Sequence, residues 1–153
     1  MEKIDNFKES GYGFLSNFYE CTVVYNGIAY KHTEGAFQAQ KTHDVEKKKY
    51  VATLSASNCK KACGRRGLNG FKLDLRPDWE EVKDQIMYEV VRAKFEQNTD
   101  LRERLLATKD AELEEGNHWH DNYWGNCSCD RCKSILGKNM LGKILMRVRE
   151  ELR

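Results

Sequence analysis

The chain has 153 residues, of which 40% are hydrophobic and 33% charged, so its composition is that of a folded domain and not of a disordered segment. Its 26 Lys and Arg residues against 24 Asp and Glu residues give a formal charge of +2, which does not indicate bulk binding to nucleic acid. Neither a membrane span of about 18 apolar residues nor the apolar stretch of a signal peptide is present. We therefore expect a single domain over residues 1–153, a cytoplasmic monomer with no membrane partner and with reduced cysteines.

The first predicted element is a β-hairpin between Cys21 and Tyr30. The pair Asn26-Gly27 fits a two-residue turn, because both residues readily take positive φ angles. A helix-favouring stretch follows over residues 33–54, with a break near Thr42-His43. This hairpin is the strongest strand signal in the chain.

Three more helices are predicted in the second half of the chain. The clearest runs from about Trp79 to Gln97, with Asp78 and Glu81 as its capping pair and apolar residues at helical spacing. A short helix follows over residues 100–109, and an amphipathic helix over residues 141–148 closes the chain. The predicted fold class is α+β, a helix-rich single domain with a small antiparallel sheet.

Residues 116–137 lack periodicity and are polar, aromatic and rich in cysteine. Loops of this length in a compact domain are usually functional or metal-bound. Asp121 precedes Trp124 by three residues, and a base-like ligand can stack on indole while a nearby carboxylate activates water or supports a cationic sugar carbon. We predict that the chemistry lies in this loop.

Glu34 is the candidate partner of Asp121. Glycoside hydrolysis typically uses two carboxyl groups, one for proton transfer and one to support the cationic carbon. Position alone leaves a plainer interpretation open, since Glu34 also fits an ordinary first-turn charge and Trp79 fits a core residue.

Basic residues supply two further candidates. Glycines flank Arg65 and its neighbour in the stretch 60–67, and an arginine fork suits phosphate oxygens, although a solvated loop explains the stretch equally well. Lys41 could contact substrate or attack an opened sugar aldehyde as an amine.

Cys127, Cys129 and Cys132 supply three thiols that could bind structural zinc. A fourth ligand could come from His118, His120, Cys59 or Cys63. This spacing is a weaker signal than two separate Cys-x-x-Cys pairs, so free thiols remain the alternative. No cofactor is expected for the reaction itself, since hydrolysis needs only water and no dinucleotide fingerprint is present.

Eight motifs, taken in order, resemble the NADAR superfamily, the YbiA-like N-glycosidases, over about residues 11–150. They occupy residues 13–18, 34–41, 64–65, 76–80, 93–98, 105–108, 121–125 and 137–142. One motif alone would be weak evidence, but eight in the same order are specific.

The resemblance implies a helix-rich α+β fold and hydrolysis of an N-glycosidic bond to a nitrogen outside a heterocyclic ring. YbiA-like members act on phosphoribosylamino-pyrimidines of early riboflavin synthesis, releasing ribose 5-phosphate and an aminopyrimidine. Other members remove ADP-ribose from guanine in DNA or RNA. A third interpretation, a zinc-stabilised module that binds ADP-ribose or a nucleotide without turnover, is disfavoured because binding an anion gains little from two acids.

The family's functional positions correspond to Glu34, Trp79, Asp121 and Trp124, with Lys41, Asn17, Arg65 and Asn139 as neighbours. We expect Glu34, Asp121 and Lys41 to be catalytic, and Trp79, Trp124, Asn17, Arg65 and Asn139 to bind substrate. Two departures stand out: Gly35-Ala36 replaces a His-Tyr pair found in many relatives, and the thiol cluster replaces a short glycine-rich link. Both bear on substrate choice.

Overall fold

The computed structural model describes residues 2–8 and 11–153, and the chain folds into two compact units. The central unit comprises residues 17–99, and the terminal unit combines residues 1–16 with 100–153. Organisation as one domain over residues 1–153 stays a prediction.

Short strands and helices alternate along the described chain. The strands are β1 (Lys3–Ile4), β2 (Val23–Tyr25), β3 (Ile28–Tyr30), β4 (Glu112–Leu113), β5 (Gly116–Asn117) and β6 (Asn126–Cys127). The helices are α1 (Thr33–Gln38), α2 (Val45–Val51), α3 (Ala56–Ala62), α4 (Trp79–Gln97), α5 (Thr99–Ala107) and α6 (Met140–Glu151), with 3-10 turns at Gly13–Leu15 and Ala39–Lys41. The predicted helix-rich α+β class is confirmed. None of these helices combines the length and apolar character that crossing a membrane requires.

The predicted hairpin is present in the central unit, where β2 and β3 pair in antiparallel register. Asn26 and Gly27 form its turn with φ angles of 50° and 83°. The side-chain amide of Gln97, at the end of α4, bonds to both backbone groups of Val24, which ties the hairpin to the helix.

The helix-favouring stretch over residues 33–54 breaks near Thr42-His43 as predicted, with α1 and a 3-10 turn before the break and α2 after it. Asp44 caps α2 by accepting the N–H groups of Glu46 at 3.0 Å and Lys47 at 3.2 Å. The next helix, α3, was not expected from the sequence. Ser55 caps it, and its seven residues include the beginning of the basic stretch 60–67, for which a solvated loop was one of two interpretations. One short helix gives too few apolar repeats to be recognised from the sequence.

Helix α4 has the predicted bounds, but the predicted capping pair is wrong. The Asp78 side chain makes no cap bond, because both of its oxygens accept from Arg76, at 2.6 Å from Nε and 2.9 Å from an Nη nitrogen. This two-bond ion pair draws the carboxylate away from the helix N–H groups. The face of α4 that is buried carries Trp79, Ile86, Met87, Val90, Val91, Lys94 and Phe95.

The terminal unit contains two short parallel strand pairs, β1 with β4 and β5 with β6. They were not predicted, since two residues are too few to show alternation. Helix α6 packs against β4 through the expected apolar face. Its buried Arg149 donates to Thr108 Oγ1 at 2.9 Å and to the Ala111 carbonyl at 2.8 Å, which fixes the turn after α5.

Candidate active site

Glu34 lies in the first turn of α1 and is buried, with 8% of its surface exposed. His32 caps this helix: its Nδ1 accepts the Gly35 N–H at 2.9 Å, so its Nε2 donates to the Leu54 carbonyl at 3.1 Å. Burial lowers the pKa of His32, which keeps the ring neutral. Gly35 is one of the positions where the sequence differs from many relatives. A Cβ at this position would lie 3.0 Å from the His32 ring, so glycine leaves room for the capping histidine.

Asn17 holds the beginning of α1. Its carbonyl accepts the Glu34 N–H at 2.9 Å, and its Oδ1 accepts from Thr33 Oγ1 at 3.1 Å. Its Nδ2 lies 3.5 Å from the Met87 sulfur. These contacts support a positioning role for Asn17, and substrate binding by its side chain stays a prediction.

Gln38, one turn after Glu34, extends the site. Its Nε2 donates to Glu34 Oε1 at 3.2 Å. Its buried Oε1 has no hydrogen-bond partner within residues 2–8 and 11–153. A buried polar atom without a partner is costly, so this oxygen offers an acceptor for a water or a substrate N–H.

Lys41 follows α1 in the 3-10 turn. Its Nζ lies 5.9 Å from the centroid of the Trp79 ring. Burial lowers the pKa of Lys41, whereas the negative charge of Glu34 opposes this shift. Burial also raises the pKa of Cys63 to about 11, so its thiol is neutral near pH 7. The charge of Glu34 therefore favours the protonated form of Lys41.

Trp79 forms an aromatic wall in the same unit. Its ring is 6% exposed and packs against Phe37 with centroids 5.0 Å apart and planes inclined by 55°. A ring this buried presents a limited surface to a ligand. Stacking of substrate on Trp79 stays a prediction.

Arg65 is exposed on the turn after α3. This turn closes tightly at Gly67, where φ is +70° and a Cβ would lie 2.0 Å from the Phe71 carbonyl oxygen. The exposed guanidinium can meet a phosphate in its forked geometry.

Asp121 and Trp124 share the loop between β5 and β6. Asp121 Oδ1 accepts the N–H groups of Tyr123 at 3.1 Å and Trp124 at 2.9 Å, and Asn117 Nδ2 donates to the Asp121 carbonyl at 2.8 Å. The half-buried Trp124 ring meets Tyr123 edge-on, with centroids 4.8 Å apart. Asp121 therefore fixes the backbone of Trp124 besides supplying a carboxylate.

Asn139 precedes α6 with a left-handed φ of 50°. Its Oδ1 accepts the Glu115 N–H at 3.0 Å, and its Nδ2 donates to the Leu113 carbonyl at 2.9 Å. Both amide atoms are thus engaged within the protein. These bonds support a positioning role, and substrate binding by Asn139 stays a prediction.

The three candidate thiols converge on one histidine. One ligand atom each from His120, Cys127, Cys129 and Cys132 lies within 4.8 Å of all the others. Of the other proposed fourth ligands, His118 lies outside this group, with its Nδ1 3.3 Å from Ser128 Oγ. The remaining two proposed ligands, Cys59 in α3 and Cys63 directly after that helix, belong to the central unit.

The structure sorts the predicted site residues by unit. The central unit holds Asn17, Glu34, Lys41, Arg65 and Trp79. The terminal unit holds Asp121, Trp124, Asn139, Cys127, Cys129 and Cys132. Within the first set, Glu34, Lys41 and Trp79 are neighbours; within the second, Asp121 and Trp124 share one turn. The catalytic pairing of Glu34 with Asp121 stays a prediction.

Sequence reasoning missed two residues that shape the site. Gln38 follows Glu34 by four positions, and this spacing on a helix places side chains on one face, so it was a usable signal. His32 lies directly before the helix, but its capping role depends on Leu54, which is distant in sequence. No local pattern indicates such a contact.

Comparisons with known proteins identify the family of the chain. A family model described as the NADAR domain matches residues 6–153. The N-glycosidase YbiA of Shigella boydii is 40% identical over 154 aligned residues, which cover 99% of this chain and 90% of that protein. The NMR structure of Escherichia coli YbiA superposes with a TM-score of 0.78 at 37% identity, covering 99% of this chain and 86% of that one. The chain belongs to the NADAR family, as its motifs predicted.

A longer relative shares the same region. The riboflavin biosynthesis protein of Vibrio vulnificus is 39% identical over 144 residues, which are 94% of this chain. This chain spans only 36% of the length of that relative.

Proposed function

We propose that this protein hydrolyses the bond between ribose C1 and the exocyclic nitrogen of a phosphoribosylamino-pyrimidine, releasing ribose 5-phosphate and an aminopyrimidine. Relatives near 40% identity are named N-glycosidases, and one is named a riboflavin biosynthesis protein. Membership of the same family makes this chain a hydrolase of N-glycosyl bonds. The pyrimidine substrate is the finer step and rests on the family resemblance.

The observation that carries the proposal is the buried carboxylate of Glu34, which accepts a hydrogen bond from Gln38 and whose charge reaches the half-buried Lys41. Hydrolysis adds the hydroxyl of water to C1 and delivers the remaining proton to the leaving nitrogen. A carboxylate can take the proton from water and pass it on, which balances the reaction. Burial strengthens the electrostatic interactions of such a group with its substrate.

The remaining site residues have separate roles in this proposal. Asp121 supports the cationic sugar carbon, and Trp124 with Trp79 encloses the pyrimidine. Arg65 binds the phosphate through its guanidinium, and Lys41 contacts the sugar beside Glu34. No cofactor takes part, and we retain a cytoplasmic monomer as the expected form.

Replacing Glu34 tests the central role. Glu34→Gln keeps the size and one acceptor oxygen but cannot accept a proton, so we expect turnover to fall by about 100-fold or more. Glu46→Gln is the matched control, because Glu46 also lies in the first turn of a helix but is exposed. The release of ribose 5-phosphate from an aminopyrimidine ribotide measures both. A folded Glu34→Gln variant with normal turnover would refute the mechanism.

A second substrate tests the assignment of the substrate class. The same protein is offered a guanine oligonucleotide that carries ADP-ribose, and release of ADP-ribose is followed. We expect faster release from the ribotide. Preference for the oligonucleotide would move the function to ADP-ribosyl hydrolysis, and release from neither, with binding retained, would indicate a binding module.

A further inference from the structure

The terminal unit contains a second cluster of reactive side chains, formed by His120, Cys127, Cys129 and Cys132. The His120 Nδ1 lies 3.3 Å from Cys129 Sγ and 3.4 Å from Cys132 Sγ. In a tetrahedral zinc site, bond lengths of about 2.3 Å to sulfur and about 2.0 Å to nitrogen place such atoms about 3.5 Å apart. The two nitrogen–sulfur distances in the structure are therefore close to those between the ligands of a tetrahedral zinc ion.

We propose that these four residues bind one structural zinc ion. Three thiolates and an imidazole suit zinc, since soft sulfur ligands select it over magnesium or calcium. Four protein ligands complete a tetrahedron and leave no position for water, which favours a structural role over a catalytic one.

The backbone around the cluster is arranged to support thiolate ligands. The His120 N–H points at Cys127 Sγ, 3.3 Å away, and Asn122 Oδ1 accepts the Cys127 N–H at 2.9 Å. Cys129 and Cys132 lie on one turn, closed by a 3.0 Å bond from the Cys132 N–H to the Cys129 carbonyl. Such outer contacts orient the ligands of a metal and are typical of built sites.

The position of the proposed zinc site in the chain indicates which segment the metal would stabilise. Residues 121–126 lie between His120 and Cys127, so a shared metal ion ties together both ends of the segment that carries Asp121 and Trp124. His120 adopts a left-handed φ of 69°, a conformation uncommon for a residue with a side chain. Ligation offsets the cost of this conformation and fixes the segment. Any effect of the metal on turnover rests on the proposed function, whereas metal binding does not.

The metal content of the purified protein tests the proposal. The full chain is purified with neither added zinc nor a polyhistidine tag, and elemental mass spectrometry is expected to find about one zinc per chain. Cobalt exchanged into the site is expected to show the absorption bands of a thiolate-bound tetrahedral ion. A zinc content near zero together with absent cobalt bands, or a disulfide among the three cysteines, would overturn the proposal.

Variants with matched controls locate the metal. His120→Asn removes a ligand but tolerates the left-handed backbone, and Cys132→Ser removes a thiolate; each is expected to lower zinc content at least tenfold. His118→Asn and Cys21→Ser change the same residue types outside the cluster and should keep the metal. Equal zinc contents in all four variants would show that His120 and Cys132 do not bind the metal.

Removing the metal from the wild-type chain with a chelator tests zinc binding without a variant, whose folding would be a separate question. If zinc fixes the segment of residues 121–126, a strong chelator is expected to lower the melting temperature by several degrees. It should also make the thiols of Cys127, Cys129 and Cys132 reactive. Restored zinc should reverse both effects. No change in thiol reactivity would contradict the proposal, and because no substrate is used, this result is independent of the proposed glycosidase activity.

Discussion

Asp121 has two separable roles at the scale of a single residue. Its Oδ1 accepts two backbone N–H groups, from Tyr123 and Trp124, and its charge is proposed to support the sugar. Asp121→Asn keeps the acceptor oxygen, whereas Asp121→Ala loses both bonds. We expect the free energy of unfolding to change by less than about 0.5 kcal/mol for Asn and to fall by about 1–2 kcal/mol for Ala. Urea denaturation of both variants measures the difference.

The turnover of Asp121→Asn then shows whether the charge takes part in the reaction. A carboxylate that supports a cationic carbon would make this folded variant about 100-fold slower or more. Asp130→Asn, which changes an exposed acid beyond β6, should have no effect and is the control. If Asp121→Asn turns over normally, Asp121 only positions Trp124.

At the scale of elements, the amide of Gln97 joins α4 to the hairpin. Its Oε1 accepts the Val24 N–H at 2.8 Å and its Nε2 donates to the Val24 carbonyl at 2.9 Å, as a neighbouring strand would. We expect Gln97→Ala to lower the free energy of unfolding by about 1–2 kcal/mol, since two hydrogen bonds are lost. The control is Gln85→Ala, which removes one exposed bond within the helix. Equal losses of stability in the two variants would show that the hydrogen bonds between Gln97 and Val24 do not stabilise the fold.

The elements that could be predicted are those with local causes. The turn at Asn26-Gly27 follows from two backbone preferences, and α4 follows from a long apolar repeat. The capping prediction for Asp78 failed because Arg76, two residues away, competes for the same carboxylate. The parallel partner of β1 lies more than a hundred residues along the chain, where no local pattern reaches.

At the scale of the whole molecule, the candidate site was predicted as a set of residue types but not as a set of contacts. The motifs identified Glu34 and Lys41, and the fold shows why they interact, since one short helix and its following turn carry both. The choice of His120 over His118 required coordinates, because both histidines have suitable spacing. The positioning bonds of Asn139 likewise depend on β4 and its following residues.

Global stability also depends on one buried lysine, Lys94 in α4. Only 1% of it is exposed, and its Nζ lies 5.7 Å from the Tyr19 ring centroid and 5.1 Å from that of Phe95. Burial lowers the pKa of Lys94 from 10.5 to about 8, and the charge of Cys21 opposes the shift. Between these two values the unfolded chain binds more protons than the folded chain, so the contribution of Lys94 to stability rises with pH.

Lys94→Met isolates this contribution, because its side chain has similar length and no charge. The pKa difference corresponds to about 3 kcal/mol, so the free energy of unfolding of wild type minus variant should rise by about this amount from pH 7.5 to 10.5. Burial also raises the pKa of Cys63 to about 11 and that of Cys59 to about 12, which lowers stability above pH 9. Both thiols are common to the two proteins and cancel in the difference. Urea denaturation under reducing conditions measures it, and parallel pH profiles would show that Lys94 keeps an ordinary pKa in the folded chain.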